Sequence, residues 1–457
     1  MKNLVFIGYI LAFFSSLPTL ANAPLSNLNQ SLTPQQMKQD VNAWRDWLSR
    51  THPDVNIRIS DLPAYEAMLA KIDKAITQPM TTKAFLAEMA SLNSLFNDGH
   101  MNILVDSQTR LVKAIIKEGR GLFPFEVIVS DGKVYIASEL GGATSAFKMA
   151  EITHIDGQPI ASIYEDMIAR MYGDTVAHRE SLLSDKFALY YWLFIKPNEQ
   201  FSISVRQSGE TKLLTAKAVK SLPVALAKES FEELFKFEVL EQQQALLTIN
   251  LFWWQDKERF YQFTQHAFEQ LKEQGIKHLI IDIRANPGGD DDMWKQGILR
   301  YIADKPYRHT SRYIKKIIAK YMDVGETEGD VVTADYDKFE VPETDEPLRF
   351  NGDVSVVVGK ITYSSAIVFA NTIQDFEFGQ VVGEKSAGYS WQTGGIQFFT
   401  FPNSGLKAVS PRFYLVRPSG EGKGKQVIPD ILFKDDALNP GTLINTIVHS
   451  YSQNGTI

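Results

Sequence analysis

The 457-residue chain contains no cysteine. It therefore forms no disulfide, has no thiol nucleophile and no thiolate metal site, and cannot carry a lipid on an N-terminal cysteine. It lacks a basic block as well. Lys and Arg number 47 against 54 Asp and Glu, a net charge of −7, which argues against nucleic acid as the main partner. There is no His-Glu-x-x-His, and seven of the eight histidines show no partner spacing, so neither a metal nor any other cofactor is expected. Past the N-terminus, no segment is apolar and long enough to span a bilayer. What is present is 44% hydrophobic and 22% charged residues. That balance belongs to a folded globular protein of two or three domains, not to a disordered chain.

The N-terminus has Lys2, an apolar run from Leu4 to Phe14, and small residues at Ala21-Asn22-Ala23. A charged start, an apolar middle and small residues near a cut describe a secretory signal peptide over 1–23. The run is shorter than the ~20 residues of a spanning helix, so cleavage rather than stable membrane insertion is expected. An exported chain without cysteine fits a periplasmic or secreted location.

Three organisational zones follow. Over 24–115, Gln36 to Arg50, Leu62 to Ile76 and Lys83 to Phe96 space apolar residues by three and four, and Thr33-Pro34 and Thr81-Thr82 supply start signals. This predicts an N-terminal helical bundle ending in Asn97-Asp98-Gly99-His100. Over 116–222, Glu126 to Val129, Val134 to Ala137, Glu151 to Ile160, Phe201 to Arg206 and Lys212 to Ala216 read as short strands, with turns at Asp131-Gly132 and Ser208-Gly209. The zone resembles a PDZ domain with a helical insertion over about Met167 to Pro197. Gly121, Leu122 and Phe123 stand where such domains carry the carboxylate-binding loop, which would make them peptide-binding. Over 235–450, strands at Leu246 to Ile249, His278 to Arg284, Val354 to Val358 and Gly379 to Gly383 alternate with helical segments, which predicts a layered α/β domain.

Two turns in that last zone could carry chemistry. Thr362-Tyr363-Ser364-Ser365-Ala366 joins a β-branched strand to a helix without a breaker. Helix N-termini present unpaired N–H groups that favour an alkoxide or oxyanion, although serine is also a common N-cap. Asn286-Pro287-Gly288-Gly289 follows the strand at Ile280 to Arg284. It is either a tight turn or a loop that brings a second backbone donor, Gly288 or Gly289, to the Ser365 N–H. No Gly-Lys-Ser/Thr follows, so it is not a phosphate loop.

Taken in order, Asp282-Ile283-Arg284-Ala285-Asn286-Pro287-Gly288-Gly289, Thr362 to Ala366, Phe369-Ala370 with Gln374-Asp375, Val381-Val382-Gly383-Glu384 and Val427-Ile428-Pro429-Asp430-Ile431 resemble the C-terminal-processing (tail-specific) and tricorn-core serine proteases. His52-Pro53 and Asn97 to His100 also match secreted bacterial members. The resemblance implies a crotonase/ClpP-like α/β catalytic domain over 235–450, with Ser364 as the nucleophile and Gly288, Gly289 and Ser365 around the oxyanion. The tail-specific branch uses a lysine where this chain has Tyr389, and Lys385 falls at a different place in the loop. The resemblance is therefore closer to the histidine-using branch. There His100 matches the base, whose pKa near 6.5 suits proton transfer from serine. Glu421, in a glycine-rich loop, is the candidate third catalytic group, with Asp98 able to hold His100 locally.

The expectation is thus an exported serine endopeptidase acting on peptides or unfolded proteins through an acyl-enzyme on Ser364. Two other readings stand beside it: a non-catalytic ligand- or peptide-binding protein on the same fold, and an esterase using the same machinery.

Overall fold

The computed structural model describes residues 24–227, 230–436, 439 and 441–454; the expected signal peptide lies outside them. The described chain divides into two compact units. One comprises 24–227 and 397–410, the other 230–396 and 411–454. No helix among the described residues is long and apolar enough to cross a membrane.

The second unit is built on a six-stranded sheet. Its order is Phe235–Val239, Gln244–Ile249, His278–Asp282, Asp353–Val358, Gln380–Gly383 and Ile431–Leu432. Only the first pairing is antiparallel. Parallel strands need long crossovers, and helices Lys257–Glu273 and Ser365–Asp375 supply two of them. Asp256 caps the first helix by accepting from the Arg259 N–H, and Phe260, Thr264, Ala267, Phe268 and Leu271 form its buried stripe.

The two central strands are covered on both faces, as their β-branched runs require. Leu279, Ile281, Val356 and Val358 pack with Phe260, Phe268, Trp294 and Phe369. The alternate residues Ile280 and Val357 pack with Leu443, Ile444 and Ile447 of the C-terminal helix Gly441–Asn454. His278 is wholly buried in this layer between Gln244 Oε1 and Ser355 Oγ, both at 2.8 Å, and stacks on Tyr451 at 4.0 Å. A second, antiparallel sheet runs in the order Val331–Asp335, Arg312–Lys316, Phe413–Val416 and Gln392–Gly394.

One element departs from a plain helix. The segment from Asp291 to Ile302 is α-helical at Asp291–Trp294, π-helical over Lys295–Leu299 and α-helical again at Arg300–Ile302. Gly297 lies within the π turn. A β-carbon there would meet the Phe260 ring at 2.6 Å, so the wide turn and the missing side chain let this segment press onto the neighbouring helix.

In the first unit, helices Pro34–Thr51 and Thr82–Ala90 begin at their start signals, and Asp61 caps helix Leu62–Ala75 by accepting from the Ala64 N–H. Thr33 forms a full capping box with Gln36, and Thr81 accepts from the Ala84 N–H. An antiparallel sheet follows in the order Phe125–Ser130, Lys133–Glu139, Glu151–Ile155, Gln200–Gln207 and Glu210–Lys217. Its hairpin turns hold paired positive φ values, 53° and 74° at Asp131-Gly132 and 51° and 85° at Ser208-Gly209, as two-residue hairpins prefer. Helix Ile160–Ile168 precedes the segment expected as an insertion, which holds helix Val176–Tyr190 and a π turn at Tyr191–Ile195. The 397–410 hairpin, read from sequence as part of the 235–450 domain, belongs to this unit. Lys407–Ser410 pairs with Asn102–Leu104, and Phe401, Leu406 and Ala408 join the core formed by residues from Leu25 to Val205.

Candidate active site

Ser364 ends the loop after strand Asp353–Val358 and starts helix Ser365–Asp375. Its backbone lies at φ 53° and ψ −125°, and its side chain makes no capping bond to the helix. The N-cap role that a serine at this position suggests is therefore not what holds it. A non-glycine residue at such an angle costs of order 1–3 kcal/mol and needs its surroundings to enforce it.

The enforcing bonds are specific. The Ser364 N–H donates to Gln392 Oε1 at 3.0 Å, and the Ser364 carbonyl accepts from the Val368 N–H at 3.0 Å. The Tyr363 N–H donates to the Asn286 carbonyl at 3.1 Å. Thr362 Oγ1 accepts from the Gly359 N–H and donates to the Ile283 carbonyl, both at 2.9 Å. These ties fix the turn to the ends of two neighbouring parallel strands.

The Asn286-Pro287-Gly288-Gly289 loop lies directly against Ser364. A β-carbon on Gly288, at φ 108°, would lie 2.6 Å from Ser364 Cβ and 2.9 Å from the Ser365 nitrogen. Only glycine fits there. The buried Asn286 side chain spans the loop, donating to the Ile249 carbonyl at 3.0 Å and accepting from the Gly288 N–H at 2.8 Å. The Gly288 N–H is thus engaged within its own loop. Gly289 sits in a parallel bridge to Phe252, in which the Gly288 carbonyl and the Asp290 N–H face Phe252. The Gly289 N–H therefore points to the opposite side.

Ser365 is held by its side chain. Its hydroxyl donates to Asp291 Oδ1 at 2.5 Å and accepts from Trp294 Nε1 at 2.9 Å. Desolvation of the partly buried Asp291 carboxyl raises its pKa, while Lys295, the Ser365 hydroxyl and the Trp294 indole oppose that rise. The backbone N–H of Ser365 is the first of the helix, where no intrahelical acceptor exists.

His100 lies in the first unit, in the turn after Asn97, and is buried. Its backbone N–H donates to Asp98 Oδ1 at 2.8 Å, and its Nδ1 stands 3.9 Å from that same oxygen. Burial pushes its pKa down to about 3. Asp174 opposes the shift, and Arg58 and His178 add to it. The imidazole is therefore neutral at pH 7.

The other expected residues are placed as follows. Glu421 sits on an exposed loop; its carbonyl accepts from Trp391 Nε1 and its N–H donates to Ser419 Oγ at 3.4 Å. Lys385 is exposed, and Tyr389 bridges to Gln426 and offers its carbonyl to Gln392 Nε2. Gly121, Leu122 and Phe123 are all buried. Leu122 donates to and accepts from Val219 at 2.9 and 3.0 Å. Phe123 packs its ring among Phe125, Phe187, Tyr191 and Phe201. The Leu122 N–H thus has an intramolecular acceptor.

Gln392, Asn286, Asp291 and Trp294 were not singled out from sequence as parts of the site. Gln392 gives no linear signal because it comes from a different sheet. Asn286 was visible inside the Asn-Pro-Gly-Gly motif, which the reading credited to its glycines.

Residues 244–433 match the family model described as Peptidase family S41. None of the curated proteins matches the chain in sequence. Among solved structures, mature CPAF is 16% identical, covering 93% of this chain and 99% of its own, with a TM-score of 0.66. Mature CPAF complexed with lactacystin is 15% identical over 92% and 97%, with a TM-score of 0.65. The photosystem II D1 C-terminal processing protease is 15% identical over 87% and 93%, with a TM-score of 0.46. The CPAF likeness is one of fold; the family rests on the matched segment, which contains both site turns. Over that segment the chain is similar to peptidase family S41, a family of serine peptidases.

Proposed function

We propose that the protein is an exported serine endopeptidase of peptides or unfolded proteins, with Ser364 as nucleophile and His100 as general base. The observation that carries this reading is the Ser364 turn: a serine at positive φ, at a helix N-terminus, with the Gly288 backbone against its Cβ. In the reaction, Ser364 Oγ attacks the substrate carbonyl carbon and its proton passes to His100. The N–H groups of Gly289 and Ser365 then face the oxyanion, while Gly288 contributes closeness rather than a donor. His100 returns the proton to the departing amine, which leaves Ser364 acylated. Water, deprotonated by the same imidazole, releases the acid and restores Ser364.

A histidine kept neutral by burial begins the cycle in the right protonation state. Glu421 is the proposed distant carboxylate of this set. The catalytic unit is read as crotonase-like, residues 24–115 as a helical domain and 116–222 as a PDZ-like module. The segment ahead of residue 24 is read as a cleaved signal for a periplasmic or secreted protein.

The test is hydrolysis of an unfolded protein by the purified mature chain, with product ends identified by mass spectrometry. Ser364→Ala is expected to lower kcat/KM by roughly 10³-fold or more. Undiminished hydrolysis by Ser364→Ala would remove the proposal. An ester-only substrate profile would point to the esterase reading. Ligand retention without any turnover would point to a binding protein.

A further inference from the structure

The unit that holds His100 contains a buried carboxylate that sequence reasoning did not find. Asp174 is 1% exposed and lies in the loop before helix Val176–Tyr190. Its Oδ1 accepts from the N–H of Gly99, the residue next to His100, at 2.9 Å. The same loop is fixed from several sides. The Asp174 N–H donates to His178 Nδ1 at 3.3 Å. Thr175 caps the helix by accepting from the His178 N–H at 3.1 Å. Arg179 Nη1 reaches the Gly173 carbonyl at 3.2 Å and, at 3.3 Å, both the Ser94 carbonyl and Asn97 Oδ1. The first turn of the inserted helix is thus bolted to the segment that carries His100.

The alternatives are weaker on geometry. Asp98 spends Oδ1 on the His100 backbone N–H and stands 3.9 Å from the ring nitrogen, beyond hydrogen-bond length. Glu421 sits on an exposed loop of the other unit. We propose that Asp174, held against the Gly99-His100 turn by the inserted helix, is the positioning carboxylate of His100. This rests on the reading of His100 as base. A buried aspartate in this role orients the imidazole and stabilises the imidazolium that forms when serine gives up its proton. The charges around His100 agree with it: Asp174 favours the protonated ring, Arg58 and His178 oppose it, and Asp98 belongs to the turn itself.

The experiment measures second-order rate constants for fluorophosphonate labelling of Ser364 between about pH 2 and 8, a range that extends below the depressed His100 pKa. Wild type, His100→Ala, Asp174→Asn and Asp174→Glu are compared. Labelling needs a neutral imidazole, so its rate rises with pH through the His100 pKa. Removing the Asp174 charge lowers that pKa. Asp174→Asn is therefore expected to label at least ~10-fold more slowly on the plateau and to move the acid limb to lower pH. Asp174→Glu, whose carboxylate is displaced by one methylene, is expected to recover part of the rate and to bring the limb part of the way back. A slow Asp174→Asn with an unmoved limb would reveal a merely structural aspartate and overturn the proposal, as would a wild-type rate. Should Asp174→Asn not fold, Asp174→Glu decides: a wild-type rate or a limb at the wild-type position overturns it, and a reduced rate with a limb moved part-way to lower pH supports it. Wild-type labelling by His100→Ala would instead show that the base reading itself has failed.

Discussion

Gly288→Ala probes the contact on which the site is built. The new β-carbon would lie 2.6 Å from Ser364 Cβ and 2.9 Å from both the Tyr363 carbonyl oxygen and the Ser365 nitrogen. Carbon atoms pack at about 3.5–4.0 Å, so something must move by about 1 Å. Ser364 is poorly able to yield, because its N–H is tied to Gln392 and its carbonyl to Val368, while Tyr363 is tied to Asn286. The loop is also constrained, since Gly288 bonds Asn286 Oδ1 and Phe252. Alanine at φ 108° adds backbone strain of about 1–3 kcal/mol, and overpacking adds about 1–3 kcal/mol. The expected loss is therefore about 2–6 kcal/mol in urea unfolding. Displacement of the nucleophile by about 1 Å should also slow fluorophosphonate labelling by roughly 10²-fold. Gly275→Ala is the control: φ is 61°, and no atom lies within 4 Å of its added β-carbon. It should cost about 1–2 kcal/mol and leave labelling unchanged. If Gly288→Ala matches the control in both stability and labelling, the close approach between the two turns is wrong.

Further outcomes are expected. Gln392→Leu leaves the buried Ser364 N–H without its acceptor and should cost about 1–3 kcal/mol, read as a lower unfolding midpoint with slower labelling. Phe401→Ala removes a fully buried ring packed on Phe85 and Phe399; about 3–5 kcal/mol should be lost from the 24–227 and 397–410 unit in hydrogen-exchange measurements. Burial pushes the His278 pKa down to about 4, and Asp353 opposes that shift. A folded pKa below the unfolded 6.5 means that the neutral ring's stabilisation is complete above pH 6.5 and is lost as pH falls toward 4. Up to about 3 kcal/mol is at stake, and His278→Gln should flatten that part of the melting-temperature profile.

Sequence reading reached the elements whose signals are local. Thr33 and Thr81 begin their helices where Ser/Thr caps were read, and the β-branched runs around Ile280 and Val356 became the buried parallel strands. Asp131-Gly132 and Ser208-Gly209 turned as hairpin residues should. The misses are non-local. The 397–410 hairpin carries no mark of its unit, because its assignment depends on pairing with Asn102–Leu104. The π turn at Lys295–Leu299 depends on how Gly297 meets Phe260. The pairing of Leu122 with Val219 spans 97 residues. Around Ser364, the serine and the two glycines were legible as motifs, whereas Gln392 and the Asp291–Trp294 clasp on Ser365 arise from contacts 28 to 74 residues apart. In the other unit, the Asp174 anchor of Gly99 spans 75 residues.

The most direct test is to treat the mature chain with a fluorophosphonate and locate the adduct by peptide mass spectrometry. The account requires a single adduct on Ser364, absent from Ser364→Ala and formed far more slowly in His100→Ala. Folded protein that takes no label at Ser364, or takes it on another serine with Ser364→Ala unaffected, would contradict it.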